Sequence, residues 1–218
     1  MYAKYFKRVI DFALSLVALT VLSPILLILT IVGAFAMGGN PFFTQLRPGK
    51  IDQKTGKEKI FKLVKFRSMN NKKDQDGNLL PDDVRLTKYG RILRSTSLDE
   101  LPELWNILKG DMSIVGPRPL AVQYLAYYTE NERRRHSVLP GLTGLAQANG
   151  RNSLTWEEKF AYDLEYVEKL SFLLDVKILI KTVQTVLMRK DIGTRGDAVL
   201  MDFDAYRKQQ EEHNVYQG

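Results

Sequence analysis

Between Phe12 and Met37 the chain carries no charged residue, and Ser23-Pro24 breaks this apolar run near its middle. A run of that length is a candidate membrane segment. The proline sets how it can be used. Phe12 to Ser23 amounts to about 12 residues, or roughly 18 Å of helix, against a hydrocarbon core about 30 Å thick. Pro24 has no N–H and clashes with the preceding turn, while the Ser23 hydroxyl can re-bond a carbonyl that the proline leaves without a donor. Lys4, Lys7 and Arg8 precede the run, and Arg47, Lys50 and Lys54 follow it. Both flanks satisfy the cytoplasmic preference of Lys and Arg only if the segment enters the membrane and turns back. The expectation is a re-entrant helix over residues 1–39, turning at Ser23 and Pro24. A kinked spanning helix is the alternative. A signal peptide is another, with Ala34-Phe35-Ala36 as a cleavage-like site, but the apolar run exceeds the usual signal core of about 7–15 residues.

The remainder of the 218 residues suffices for one domain with a real core. Lys and Arg outnumber Asp and Glu by 32 to 25, a formal charge of +7 that attracts phosphorylated substrates, anionic lipid or nucleic acid without choosing among them. The absence of cysteine excludes a disulfide framework and thiolate zinc sites, and two histidines cannot make a His-rich metal site.

Beyond the breakers Gly38-Gly39-Asn40-Pro41, the segment Ile51 to Gly56 reads as a turn. Lys59 to Phe66 alternates apolar and basic residues, a strand pattern, so a small β-hairpin is expected around that turn. Residues 70–83 read as an exposed loop. Helical signals dominate from Leu86 onward. The spacing predicts a helix from Asp99 to Lys109, with Asp99 as cap, Pro102 in its first turn and Gly110 just past its end. Further helices are predicted over Glu157 to Leu170 and Leu173 to Met188, followed by a polar, peripheral tail. The fold class expected is α+β, dominated by helices. The divisions expected are a membrane helix at 1–39, a catalytic domain at 40–190 and a tail at 191–218.

Functional signals are densest between Thr87 and Pro119. A carboxylate at a helix N-terminus, such as Asp99, would be favoured by the dipole, and phosphate oxygens would be favoured beside it. Arg94 and Arg118 can supply planar forks for phosphate. A carboxylate in such surroundings can attack phosphorus and form an acyl-phosphate. Glu100 offers a second oxygen for Mg²⁺ or a general base. Spacing alone reads equally well as a capped helix with a solvated basic face.

The segment Arg91-Ile-Leu-Arg-Ser-Thr-Ser-Leu-Asp-Glu-Leu-Pro-Glu-Leu-Trp-Asn-Ile-Leu-Lys-Gly-Asp-Met-Ser-Ile-Val-Gly-Pro-Arg-Pro119 resembles the bacterial sugar transferase family, the monotopic phosphoglycosyl transferases. Lys65-Phe-Arg-Ser-Met69 and Pro140-Gly-Leu-Thr-Gly-Leu-Ala-Gln-Ala-Asn-Gly-Arg151 match two further family blocks in the same order. The likeness runs from about Lys7 to about Met188 and implies the minimal catalytic form, without the multi-spanning domain of larger members.

The resemblance implies that Asp99 is the nucleophile, taking a phosphosugar from a UDP-sugar with release of UMP and yielding it to polyprenyl (undecaprenyl) phosphate. It implies Mg²⁺ held at Asp99 and Glu100, and phosphate binding by Lys65, Arg94, Arg118 and Arg151. The implied setting is the cytoplasmic face of the bacterial inner membrane, among membrane lipids, with later enzymes of the same glycan pathway as candidate partners and no nucleic acid. The rivals are a Mg²⁺-dependent pyrophosphate hydrolase using water as acceptor, and a non-catalytic basic membrane adaptor. Arg133-Arg134-Arg135-His136 reads as a solvated or headgroup-facing patch. Trp105 reads as core, Trp156 as core or membrane interface. The helix from Leu173 reads as interfacial or core packing.

Overall fold

The computed structural model describes residues 1–150, 153–187 and 201–215. Helices dominate, with a small antiparallel hairpin, so the α+β class holds. The chain divides into two compact units, one made of Val9–Gln45 with Lys62–Gly110 and the other of Met1–Arg8, Leu46–Phe61 and Asp111 onward.

From Val9 the first unit takes in α1 (Lys7–Val21) and then α2 (Ser23–Met37), the two bent by 64° where they meet. No single helix among the described residues is long and apolar enough to cross a membrane. The cause of the bend is local. Pro24 has no N–H to give the Thr20 carbonyl four residues back, and the Ser23 hydroxyl donates to that carbonyl instead, at 2.8 Å. Gly38 ends α2 in the left-handed conformation. The Tyr89 hydroxyl donates to the Leu29 carbonyl at 2.8 Å. Gly33 makes room for it, since a Cβ there would lie 2.9 Å from that hydroxyl.

β1 (Phe42–Ile51) and β2 (Glu58–Phe66) form the expected hairpin. Stacking of Phe42 on Phe66, centroids 5.3 Å apart, closes its open end. α3 (Lys88–Thr96) is capped by the Thr87 side chain, which accepts from the Gly90 amide. Gly90 touches the backbone of Ser68: a Cβ would fall 1.8 Å from that carbonyl oxygen. The helix expected from Asp99 starts later, as α4 (Glu103–Lys109), with Pro102 as its cap. Leu98–Glu100 is a 3₁₀ turn. The physical reason is Ser97, which adopts the left-handed conformation (φ 56°) and closes α3 by donating its N–H to Arg94 and Leu93. The chain therefore reverses before Asp99, and Gly110 ends α4 as expected. The buried Asn106 of α4 bridges to the hairpin, accepting from the Val64 N–H (3.1 Å) and donating to the Lys62 carbonyl (2.8 Å).

The second unit is built on β3 (Ser113–Val115) and β4 (Gly141–Thr143), a parallel pair that pairs Ser113 with Gly141 and Val115 with Thr143. Around it lie α5 (Leu145–Asn149), α6 (Trp156–Lys169), α7 (Phe172–Leu187) and α8 (Phe203–Val215). α6 carries a capping box, Thr155 with Glu158. One core joins Val115, Ala148, Tyr166 and Ile178, and an aromatic core joins Tyr124, Trp156, Phe160 and Phe203. Phe203 is fully buried, so the expected peripheral tail instead contributes α8 to the packing. Residues 188–200 and 216–218 lie outside the described residues. Lys7 pairs with the buried Asp175 at 2.6 Å, and Tyr2 donates to the same carboxylate oxygen. Trp156 is core, its indole N–H bonding the Met201 carbonyl at 2.9 Å. Trp105, expected in the core, is 52% exposed, because α4 turns Leu104, Asn106 and Ile107 inward.

Candidate active site

The Lys65–Met69 block and the Arg91–Glu100 block meet in the first unit. Lys65, at the end of β2, places its Nζ 2.8 Å from Glu100 Oε1 and 3.0 Å from Glu103 Oε1. Arg94, near the end of α3, donates from Nε to the buried Ser68 hydroxyl at 3.0 Å. Ser68 in turn fixes the start of α3, its carbonyl accepting from the Thr87 hydroxyl and N–H. Asp99 shares the 3₁₀ turn with Glu100, and both are partly exposed. The turn sits outside any helix N-terminus, so the dipole argument for Asp99 is corrected. Its electrostatic setting comes from side chains, with one ammonium between two glutamates and a third carboxylate adjacent.

Lys65 was expected on phosphate, and it is ion-paired to Glu100 and Glu103. Glu103, whose side chain is 3% exposed, was missed. The only available signal was its place in the same acidic block, three residues from Glu100. Asn106 and Ser68 were missed because a single amide or hydroxyl in a sequence carries no sign of its partner.

Arg118 lies in the second unit, on the segment after β3. Its neighbours Gly116, Pro117 and Pro119 are buried, and Arg118 alone among them is partly exposed. Tight backbone packing fixes this segment. A Cβ on Gly116 would lie 2.4 Å from the Leu139 carbonyl, on Gly141 2.1 Å from the Gly116 nitrogen, and on Gly144 2.2 Å from the Gly116 oxygen. These glycines of the Gly116–Pro119 and Pro140–Arg151 blocks are therefore packing devices that let two loops interlock. The Tyr166 hydroxyl, shared between the Val115 carbonyl and the Asp175 carboxylate, anchors the strand before it. Arg151, expected on phosphate, lies outside the described residues.

The basic run Arg133–His136 is corrected as well. Arg133 and Arg134 do reach the surface, with side chains 42% and 51% exposed, and Arg134 pairs with the exposed Glu168. Arg135 and His136 are buried. Arg133 forks onto Glu58, Nε to Oε1 at 2.7 Å and Nη2 to Oε2 at 2.9 Å. Burial alone would raise the Glu58 carboxyl, but hydrogen bonds from Arg133 and His136 outweigh it and hold it at about 2. His136 is pulled down to about 4, first by burial and then by the Arg135 charge, against the opposing pull of Glu58. The imidazole is therefore neutral at pH 7. The network selects the tautomer in which Nδ1–H donates to Glu58 (3.2 Å) and Nε2 accepts from Arg135 (3.3 Å).

The first unit thus carries an acidic turn gripped by a lysine, and the second a partly exposed arginine on a tightly packed loop. The chain belongs to the bacterial sugar transferase family, whose model matches residues 2–189. It is 50% identical over 186 residues to the uncharacterized sugar transferase EpsL of Bacillus subtilis, covering 85% of this chain and 89% of that protein. It is 42% identical over 188 residues to a UDP-glucose:undecaprenyl-phosphate glucose-1-phosphate transferase of Klebsiella pneumoniae. It is 37% identical over 205 residues to a UDP-galactose-lipid carrier transferase of Erwinia amylovora. The chain spans 39% and 41% of the lengths of those two larger relatives. It is a transferase of the phosphoglycosyl transferase class.

The His136 site predicts how stability responds to acid. Its folded value, about 4, lies below the usual 6.5, so the unfolded chain takes up the proton first. The stabilisation is full above about pH 6.5 and is lost as pH falls towards about 4. Denaturant unfolding in detergent should show a loss of about 2 kcal/mol between pH 7 and pH 5, and His136→Asn should remove most of that slope. An equal slope in the variant would contradict the assignment.

Proposed function

We propose that the chain transfers a sugar-1-phosphate from a UDP-sugar to polyprenyl phosphate at the cytoplasmic face of a bacterial inner membrane, through a phosphosugar carried on Asp99. The observation that carries this reading is the Leu98–Glu100 turn, where Asp99 stands beside a glutamate gripped by Lys65, in a chain of the bacterial sugar transferase family. An Asp99 oxygen attacks the phosphorus that bears the sugar. The bond to the uridine-side phosphate breaks, and UMP leaves with the electron pair. An oxygen of polyprenyl phosphate then attacks the same phosphorus and returns Asp99 to a carboxylate. Two in-line displacements give retention at phosphorus. The product is a polyprenyl diphosphosugar, the starting material for the later enzymes of a glycan pathway.

Magnesium takes one or two carboxylates and completes its shell with substrate phosphates, which fits Asp99 and Glu100 as donors. Among the described residues no three acidic or histidine side chains converge into a cage, so the protein's share of such a shell is small. When bound, the ion supplies positive charge to the diphosphate. The residues do the rest: Lys65 holds Glu100 in place, and Arg94, braced on Ser68, is available to phosphate.

Membrane seating is part of the same proposal. The bend at Leu22 leaves Val17, Leu27 and Ile28 each more than half exposed, as lipid-facing side chains would be. α7 exposes Leu173 and Ile180 beside Lys177 and Lys181, a pattern suited to the interface. The lipid acceptors named for the Klebsiella and Erwinia relatives, undecaprenyl phosphate and a lipid carrier, support this seating.

Asp99→Asn keeps the shape and removes the attacking charge. UMP release in the presence of polyprenyl phosphate should fall by at least about a thousandfold, measured across a panel of UDP-sugars. Near-normal turnover would end the covalent reading. For the membrane segment, Tyr2→Cys and Asn40→Cys should both be protected from an impermeant thiol reagent until cells are opened. External labelling of Tyr2→Cys would mean that the segment spans.

A further inference from the structure

Arg135 sits in the second unit as a 2% exposed guanidinium with every edge committed. Nε and Nη2 donate to Asp163 Oδ2 at 2.8 and 2.7 Å. Nη2 also donates to the backbone carbonyl of Arg118, at 2.7 Å. Nη1 faces the Tyr128 hydroxyl at 3.5 Å and His136 Nε2 at 3.3 Å. Its face lies against Phe160, 5.8 Å from the ring centroid. Burying a cation this deeply is costly, and a buried ion pair adds little net stability over an apolar substitute. Fold stability is thus a weak reason for this arrangement. The contact with Arg118 is a stronger one.

We propose that Arg135, braced by Asp163, is a positioning residue that fixes the backbone of Arg118 so that its side chain is presented to a substrate phosphate. Three further restraints bear on the same short segment. Gly116 N–H donates to the Thr143 carbonyl at 2.8 Å, and Gly141 N–H donates to the Pro117 carbonyl at 3.0 Å. Pro117 and Pro119 fix φ on either side of Arg118. These hold residues 116 and 117. The Arg118 carbonyl itself is held by Arg135, so the last peptide before Pro119 takes its orientation from α6 through Asp163. Burial works against the Arg135 charge and Asp163 outweighs it, so this donor stays protonated throughout the working pH range. The proposal rests on the reading of Arg118 as a phosphate-binding residue. It holds whether that phosphate belongs to the nucleotide sugar or to the lipid acceptor.

The test is a double-mutant cycle on the full chain in detergent, with UDP and undecaprenyl phosphate as separate binding probes. Arg118→Ala should weaken one probe by about tenfold, which identifies the phosphate concerned. Arg135→Lys keeps a cation for Asp163 but cannot also reach the Arg118 carbonyl. It should weaken the same probe by about fivefold and leave the other within twofold. In the Arg118→Ala background, Arg135→Lys should cost less than twofold, because there is nothing left to position. Effects that multiply in the double variant, or an Arg135→Lys variant that binds both probes normally, would overturn the proposal. If Arg118→Ala binds both probes normally, the phosphate role of Arg118 fails first and the positioning role falls with it. Asp163→Asn keeps an oxygen for the guanidinium and serves as the second bracing variant, with the same loss expected, should Arg135→Lys fail to fold.

Discussion

Lys65 is the interaction on which the acidic turn depends. Its ammonium lies within 3.0 Å of both Glu100 and Glu103, and the Glu103 side chain is almost wholly buried. Removing one partner of such a pair leaves a charge without compensation, at a cost of roughly 3–5 kcal/mol. Lys65 can hold this place because β2 is itself fixed: Asn106 bonds both the Val64 N–H and the Lys62 carbonyl. Losing that amide would leave a buried donor and acceptor unmet, worth about 1–3 kcal/mol each. The end of β2 from Lys62 to Lys65, α4 and the acidic turn are thus one mechanical assembly. One lysine balances two glutamates, and Asp99 stands beside them as a further carboxylate.

The second unit solves a different problem, which is to keep a short loop rigid without regular structure. Two strands of three residues cannot do it alone. Glycines at 116, 141 and 144 let backbones pack directly on one another, and a buried arginine supplies the bond that the strands lack. The same logic governs the bend between α1 and α2, where a proline removes one hydrogen bond and the adjacent serine replaces it.

Much of this was legible in the sequence, and the failures have specific causes. The hairpin, the bend at Ser23-Pro24 and the helix ends at Gly38 and Gly110 rest on local chemistry that sequence displays. Asp99 looks like a helix cap in the sequence because Pro102 then falls in the first turn and Gly110 just past the end. The left-handed Ser97 reverses the chain first, and a non-glycine residue in that conformation leaves no sequence signal. Arg135 and His136 looked like surface because a run of four basic residues usually is. Their burial depends on Asp163 and Glu58, 28 and 78 residues away in the chain. Partners at that distance are a property of the fold. Trp105 failed in the opposite sense: its type argued for the core, and the helix phase turned it outward.

The central claim is that Asp99 carries the phosphosugar between donor and acceptor, and intact-mass measurement reads this directly. The full chain should be incubated with Mg²⁺ and its UDP-sugar, with no lipid phosphate present, and quenched in acid. The account predicts a protein heavier by one sugar-phosphate group, with fragmentation placing the addition on Asp99, and loss of the addition when polyprenyl phosphate is supplied. UMP release only when the lipid acceptor is present, with no mass change on the protein before it is added, would mean direct transfer and would contradict the account.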